Sequence, residues 1–231
     1  MIETINVRSL DVQRQPSVTE QVFELLYRQV VELELPPGAK LSEVDVAKQM
    51  GVSRQPVRDA FYRLSQQGFL MIRPQRATVV THISERGVLQ ARFIRTALEM
   101  ETVRAATERL SDDQIGTLDA LVARQVKAME AGDKMLFHEL DDEFHLQICR
   151  MSGHEFAWAL IRESKAHMDR VRYLSLSFGA QSAVNDHLDI MAAIKARDGD
   201  RAAAGMRVHL SRILQIISRI RETHGQHFAT E

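Results

Sequence analysis

Every proline in this 231-residue chain lies before residue 75, at positions 16, 36, 37, 56 and 74. The remaining two-thirds of the chain has no such helix breaker and is dense in Ala, Leu, Met, Glu and Arg, which have high helix propensity. That segregation predicts two units. A short, punctuated region at residues 1–81 precedes an all-α bundle with short connections at residues 82–231. The fold class expected is mostly α, with three helices and a small β-hairpin in the first unit.

The informative stretch of the first unit runs from Lys40 to Leu70. Val44, Val46, Ala47 and Met50 are apolar at helical spacing, and Gly51 supplies the left-handed stop a helix C-terminus often needs. Ser53 is a good N-cap for a second helix, with Pro56 in its first turn and Val57, Ala60, Phe61 and Leu64 as its buried stripe. Arg54 and Arg58 share one face near the start of that helix, where a recognition helix meets base edges and phosphates. Upstream, residues 19–35 read as a helix with Val22, Leu25, Leu26, Val30 and Leu33 inward, stopped by Pro36-Pro37-Gly38. Residues 1–15 show no periodicity and read as a mobile arm. Downstream, residues 69–73 and 78–81 flank Pro74-Gln75-Arg76-Ala77 and predict a hairpin wing.

The formal net charge is only −1, but between Ser53 and Arg76 five arginines (54, 58, 63, 73, 76) face one acid, Asp59. A nucleic-acid binder needs a basic contact surface, not a basic whole. The candidate DNA contacts are Lys40, Ser53, Arg54, Gln55, Arg58 and Arg76. The single cysteine, Cys149, excludes an intrachain disulfide and reads as a small core residue. With no apolar run of membrane-spanning length and no signal-peptide layout, a cytoplasmic protein is expected.

In the bundle, Ser84 caps the first helix, which carries Val88, Phe93, Ile94, Leu98 and Val103, and Ser111 with Gln114 forms a capping box for the second. Gly132-Asp133 and Ser152-Gly153 are breaks. A helix is expected to end at Phe178-Gly179, another to span residues 182–197, and a last one to reach Arg221, followed by a frayed tail with solvated His224 and His227.

Asp141 and His145 stand at i and i+4 on one helix face, and His187 and His209 lie on later helices. Carboxylate with imidazoles suits a divalent transition metal such as zinc, nickel or manganese. Spacing alone leaves His138, Asp142, His154 and His167 as competing ligands. It also leaves open a simpler account, in which buried histidines merely have hydrogen-bonded partners.

The run Pro37-Gly38-x-x-Leu41, Gly51-Val52-Ser53-Arg54-x-Pro56-Val57-Arg58-x-Ala60, Leu64 and Gly68 resembles the winged helix–turn–helix of the GntR superfamily of bacterial transcription regulators. Arg95-x-x-x-Glu99, Asp141-x-x-Phe144-His145, His187 and His209 resemble the effector domain of its FadR subgroup, the FCD type. The resemblance implies that Asp141, His145, His187 and His209 hold a metal at the floor of a cavity, and that the effector is a small carboxylate. It also implies a homodimer on double-stranded operator DNA, a repressor or an activator. Arg95 is the candidate for the effector carboxylate, against an equally weighted ion pair with Glu99 at i+4; Arg172 is a weaker candidate, against an exposed arginine. The chain departs from the family at Ala77, where the wing often has glycine, and at His154, where asparagine is common. Two other functions compete with a ligand-responsive regulator. A metal-dependent enzyme with an appended DNA-binding domain would need a general base, yet Glu139 and Glu143 form no recognised catalytic motif. An architectural DNA binder would need no polar pocket.

Overall fold

The computed structural model describes residues 16–73 and 76–230. The expected arm at residues 1–15, and Pro74 and Gln75 of the expected wing, lie outside the described residues. The first unit contains α1 (Val18–Val31), β1 (Lys40–Leu41), α2 (Glu43–Met50), α3 (Arg54–Gln66), β2 (Leu70–Met71) and β3 (Thr78–Val80). The strands form an antiparallel sheet ordered β1-β3-β2, so the wing is joined by a third strand at Lys40 that the hairpin reading did not include. Gly51 ends α2 at φ +65°, as its position predicts. Helix α1 stops four residues early. Leu25 faces solvent and Phe23 and Val31 are buried in its stead; in α2, Val44 also faces solvent.

The second unit comprises α4 (Glu85–Arg109), α5 (Asp112–Glu130), α6 (Lys134–Met151), α7 (Glu155–Ser164), α8 (Ala166–Lys195), α9 (Gly199–Ser211) and α10 (Ile213–His224). Ser84 caps α4 and the Ser111/Gln114 box closes on α5, as expected. Phe93, expected inside, is 72% exposed, because α4 turns Arg95 and Glu99 into the bundle. The break expected at Phe178-Gly179 is absent, and α8 runs through it. A glycine inside a helix costs about 1 kcal/mol, which packing of α8 against α4, α5, α9 and α10 offsets. The chain breaks instead at Lys165, whose ammonium is buried between two carboxylates, and at Arg212, whose guanidinium is drawn to Asp186.

The tail is not frayed. Gly225–His227 forms a 3-10 turn, and Phe228 is buried beside Ile83. The Ile83 N–H donates to the His227 carbonyl and the Ala229 N–H to the Ile83 carbonyl, both at 2.9 Å. This strap ties the last residues to the connection between the two units. The units are also joined through α8. Ala166 and Tyr173 pack in the core of the first unit, and the fully buried Arg170 donates to the carbonyl and hydroxyl of Thr81.

Candidate metal centre and DNA-reading surface

Asp141 and His145 from α6, His187 from α8 and His209 from α9 converge, each offering a ligand atom within 4.8 Å of the others. His145 and His187 are about as buried as side chains can be, and their ring centroids lie 5.4 Å apart, with His209 at 5.2 and 4.5 Å from them. Two neighbours orient the rings. Glu99 sets a carboxylate oxygen 2.5 Å from His145 Nδ1. The Gln125 amide donates through Nε2 to the Leu140 carbonyl at 2.9 Å, which turns its Oε1 toward His187 Nδ1 at 2.7 Å. The Gln125 acceptor places the proton of His187 on Nδ1, and the Nε2 atoms of His145 and His187 lie 3.6 and 3.8 Å from the Asp141 carboxylate. His145 Nε2 and His187 Nε2, together with His145 Nδ1 and His209 Nδ1, are buried without a hydrogen-bond partner among the described residues. Orphaned imidazole nitrogens cost free energy unless something electrophilic meets them. With a carboxylate among them and acceptors behind them, they fit a divalent transition metal.

Electrostatics keep these ligands ready. Burial alone would raise the Asp141 carboxyl, but the Arg172 guanidinium beside it outweighs that and holds it well below the carboxylate range. Burial pushes His187 well down, helped by His209, and burial likewise lowers His209 against the pull of Asp186. An ionised Asp141 and neutral His187 and His209 are the protonation states a metal requires of those three.

Above the cluster lies a cavity of roughly 270 Å³. Asp141 and His209 form part of its floor, Arg95 and Arg172 its charged wall, and Leu176, Phe178, Ile213 and Ile216 its apolar wall. Arg95 is committed to Glu99 through Nε at 2.5 Å and NH2 at 3.4 Å, while NH1 faces the Met168 sulfur at 3.6 Å. It thus sits in the ion pair and on the cavity wall at once. Arg172 is not an exposed arginine. It pairs with Asp141 and, through NH1, with Asp142 at 3.1 Å and Asp169 at 3.3 Å. Arg219, which the sequence reading did not single out, lines the cavity with its guanidinium 3.9 Å from the Phe178 ring centroid.

The competing ligands go elsewhere. His138 and Asp142 meet Asp169 in a second group, but Lys165 already supplies the cation there, at 2.6 Å from both carboxylates. Tyr27 of α1 reaches this group, 3.4 Å from His138 Nε2 and from Asp169. A chain of charge thus runs from Asp141 through Arg172 to the first unit. His154 is exposed, and His167 accepts from the Ser84 N–H at the junction of the units.

On the first unit, Arg54 and Arg58 are exposed and share one acid, lying 3.6 and 3.3 Å from Glu43 of α2. Gln55 bonds Asp59 at 2.8 Å. Ser53 occupies the N-cap of α3, yet its hydroxyl makes no cap hydrogen bond. Lys40 and Arg76 are exposed on the sheet side.

Residues 18–80 match the bacterial regulatory proteins of the GntR family, and residues 90–212 match the FCD domain. The chain is 36% identical over 216 residues to the HTH-type transcriptional repressor RspR of Escherichia coli K12, covering 93% of this chain and 95% of that one. It is 35% identical over 213 residues, 91% of this chain and 89% of the other, to an HTH-type transcriptional regulator of Streptomyces ambofaciens. Among solved structures it resembles McbR/YncC of E. coli, with TM-score 0.77 and 25% identity, covering 89% of this chain and 99% of that one. Among the described residues no helix is long and apolar enough to cross a membrane.

Proposed function

Because the chain belongs to the GntR family of bacterial regulatory proteins, with an FCD domain behind its winged helix, we propose that this transcriptional regulator reads a palindromic operator as a homodimer and answers to a small carboxylate held at a divalent metal. Its families and relatives are transcriptional regulators rather than enzymes. In this reading residues 1–81 bind DNA and residues 82–231 sense the effector. The observation that carries the sensing role is the pair of partnerless Nε2 atoms, turned inward by Glu99 and Gln125 beside the cavity floor.

Asp141, His145, His187 and His209 hold the ion. When bound, it supplies a Lewis-acidic anchor for an anionic oxygen. Arg172 and Arg219 offer guanidinium donors to the rest of such a ligand, and the apolar wall fits its carbon skeleton. Displacing Arg172 from its three carboxylates would be felt at Tyr27, and so at α1, which packs on the recognition helix. The size of that coupling equals the effector's preference for one arrangement over the other. On the DNA side, Arg54 and Arg58 exchange Glu43 for phosphates and base edges.

The test combines elemental analysis with operator titrations in the presence and absence of effector. Arg54→Ala and Arg58→Ala are expected to weaken specific binding by about 1–3 kcal/mol each. His187→Ala lowers metal content and blunts the effector response, while free-protein operator binding survives. Equal metal in parent and His187→Ala, or an undiminished response in metal-free protein, overturns the metal-anchored reading. Parent-like operator binding by both arginine variants overturns the recognition-helix assignment.

A further inference from the structure

We propose that the last residues of the chain are a strap through which α10 carries the state of the cavity to the connection between the two units. The proposal rests on the reading of the metal cluster and cavity as the sensing site, and it supplies a second route out of that site. Helix α10 presents two neighbouring faces. Gln215, Ile216 and Arg219 share one and line the cavity. Ile213, Ile217 and Ile220 share the other and pack with Phe228 and Ile83. Met168 and Ile213 belong to both groups, so a single layer of side chains separates cavity from strap. A close-packed layer passes a displacement on one side to the other.

The strap holds the connection at one residue. Ile83 is fully buried, between Thr81, which Arg170 holds, and Ser84, the N-cap of α4. Its N–H donates to the His227 carbonyl and its carbonyl accepts from the Ala229 N–H, so the tail satisfies both of its backbone groups. Arg221 of α10 adds an ion pair with Glu85 in the first turn of α4, at 2.7 Å. The strap is also light. Of residues 225–230 only Phe228 is buried. A segment anchored by one side chain opens locally well before the fold unfolds. The metal cluster bears on its socket through His209, which stands one helical turn before Ile213. Fixing His209 on an ion fixes the end of α9, and so the start of α10 and the Phe228 socket. The strap is therefore expected to open more rarely with metal bound. By linkage, an open strap weakens the metal by the same factor.

The experiment is amide hydrogen exchange of the full chain, read at Ile83 and Ala229, with zinc alone as the probe. In the metal-free parent both amides are expected to be protected and to exchange at matching rates, because one opening frees both. Phe228→Ala should speed both at least about 10-fold, with helical circular dichroism retained. Zinc should slow both at least about five-fold in the parent. It should leave the Val52 amide, in the turn between α2 and α3, unchanged. In His187→Ala zinc should no longer slow the strap. That arm is needed because His224 and His227, with ring centroids 6.2 Å apart, could take zinc on the tail itself. In calorimetric titration Phe228→Ala should bind zinc more weakly, by the factor with which zinc slows exchange in the parent. Should Phe228→Ala fail to fold, exchange of the parent with and without zinc decides alone. Amides that are unprotected, or that exchange independently, overturn the strap. Zinc binding that leaves them unchanged, or slowing undiminished in His187→Ala, overturns the coupling while leaving the metal reading intact. A parent that binds no zinc overturns both.

Discussion

Gln125→Leu isolates the orientation of the metal site from its ligands. Gln125 is fully buried on α5 and makes two bonds, to the Leu140 carbonyl at 2.9 Å and to His187 Nδ1 at 2.7 Å. Leucine keeps most of the volume and removes both. If the His187 proton stays on Nδ1, a buried donor is stranded, at about 1–3 kcal/mol. The ring escapes part of that by moving the proton to Nε2, where the Asp141 carboxylate at 3.8 Å attracts it and a small ring shift brings it within hydrogen-bond reach. The escape consumes the lone pair a metal needs. The metal-free variant should therefore lose only about 1 kcal/mol of stability, while its affinity for zinc, nickel or manganese falls about 10- to 100-fold. That fall corresponds to about 1.4–2.8 kcal/mol. Gln125→Glu keeps an acceptor for Nδ1–H and should retain affinity within a few-fold. Calorimetric metal titration reads the affinity, and urea unfolding in chelator reads the stability. Parent-like metal affinity in Gln125→Leu would refute the idea that Gln125 selects the His187 tautomer.

Two further outcomes are expected. Arg172→Met leaves Asp142 and Asp169 with Lys165 as their direct cation and Asp141 with only the neighbouring imidazoles, and should cost about 3–5 kcal/mol in metal-free protein by urea unfolding; added divalent metal should restore part of it by neutralising Asp141. His167 is pushed down from 6.5 to about 4 by burial and then by Arg170. The unfolded chain takes up that proton near its ordinary value while the folded chain refuses it, so stability is full above about pH 6.5 and falls as pH drops toward 4. After discounting for partial exposure the loss is about 2 kcal/mol, and His167→Gln should flatten that part of the pH–stability curve.

The outline of this protein was written locally. Gly51, Ser84 and the Ser111/Gln114 box act within one helical turn, so the residues themselves marked those boundaries. The motif spacing around Arg54 and Arg58 likewise identified the DNA-binding unit. The breaks at Lys165 and Arg212 were invisible because no local breaker makes them; buried ion pairs of Lys165 with Asp142 and Asp169 and a part-buried one of Arg212 with Asp186 accompany them, across 23 residues in the longest case among the Lys165 pairs and 26 for Arg212. Apolar periodicity misplaced Phe93 for a related reason: α4 buries an Arg95–Glu99 pair, so hydrophobicity no longer marks its inner face. The four candidate ligands were legible as residue types in order, but their meeting within 4.8 Å depends on how α6, α8 and α9 pack. Glu99 and Gln125 acquire their roles only there, because an orienting partner is defined by the ring it faces. The docked tail shows the same limit. Residues 224–231 look polar and unstructured alone, and Phe228 finds its place only because the fold brings Ile83 beside it.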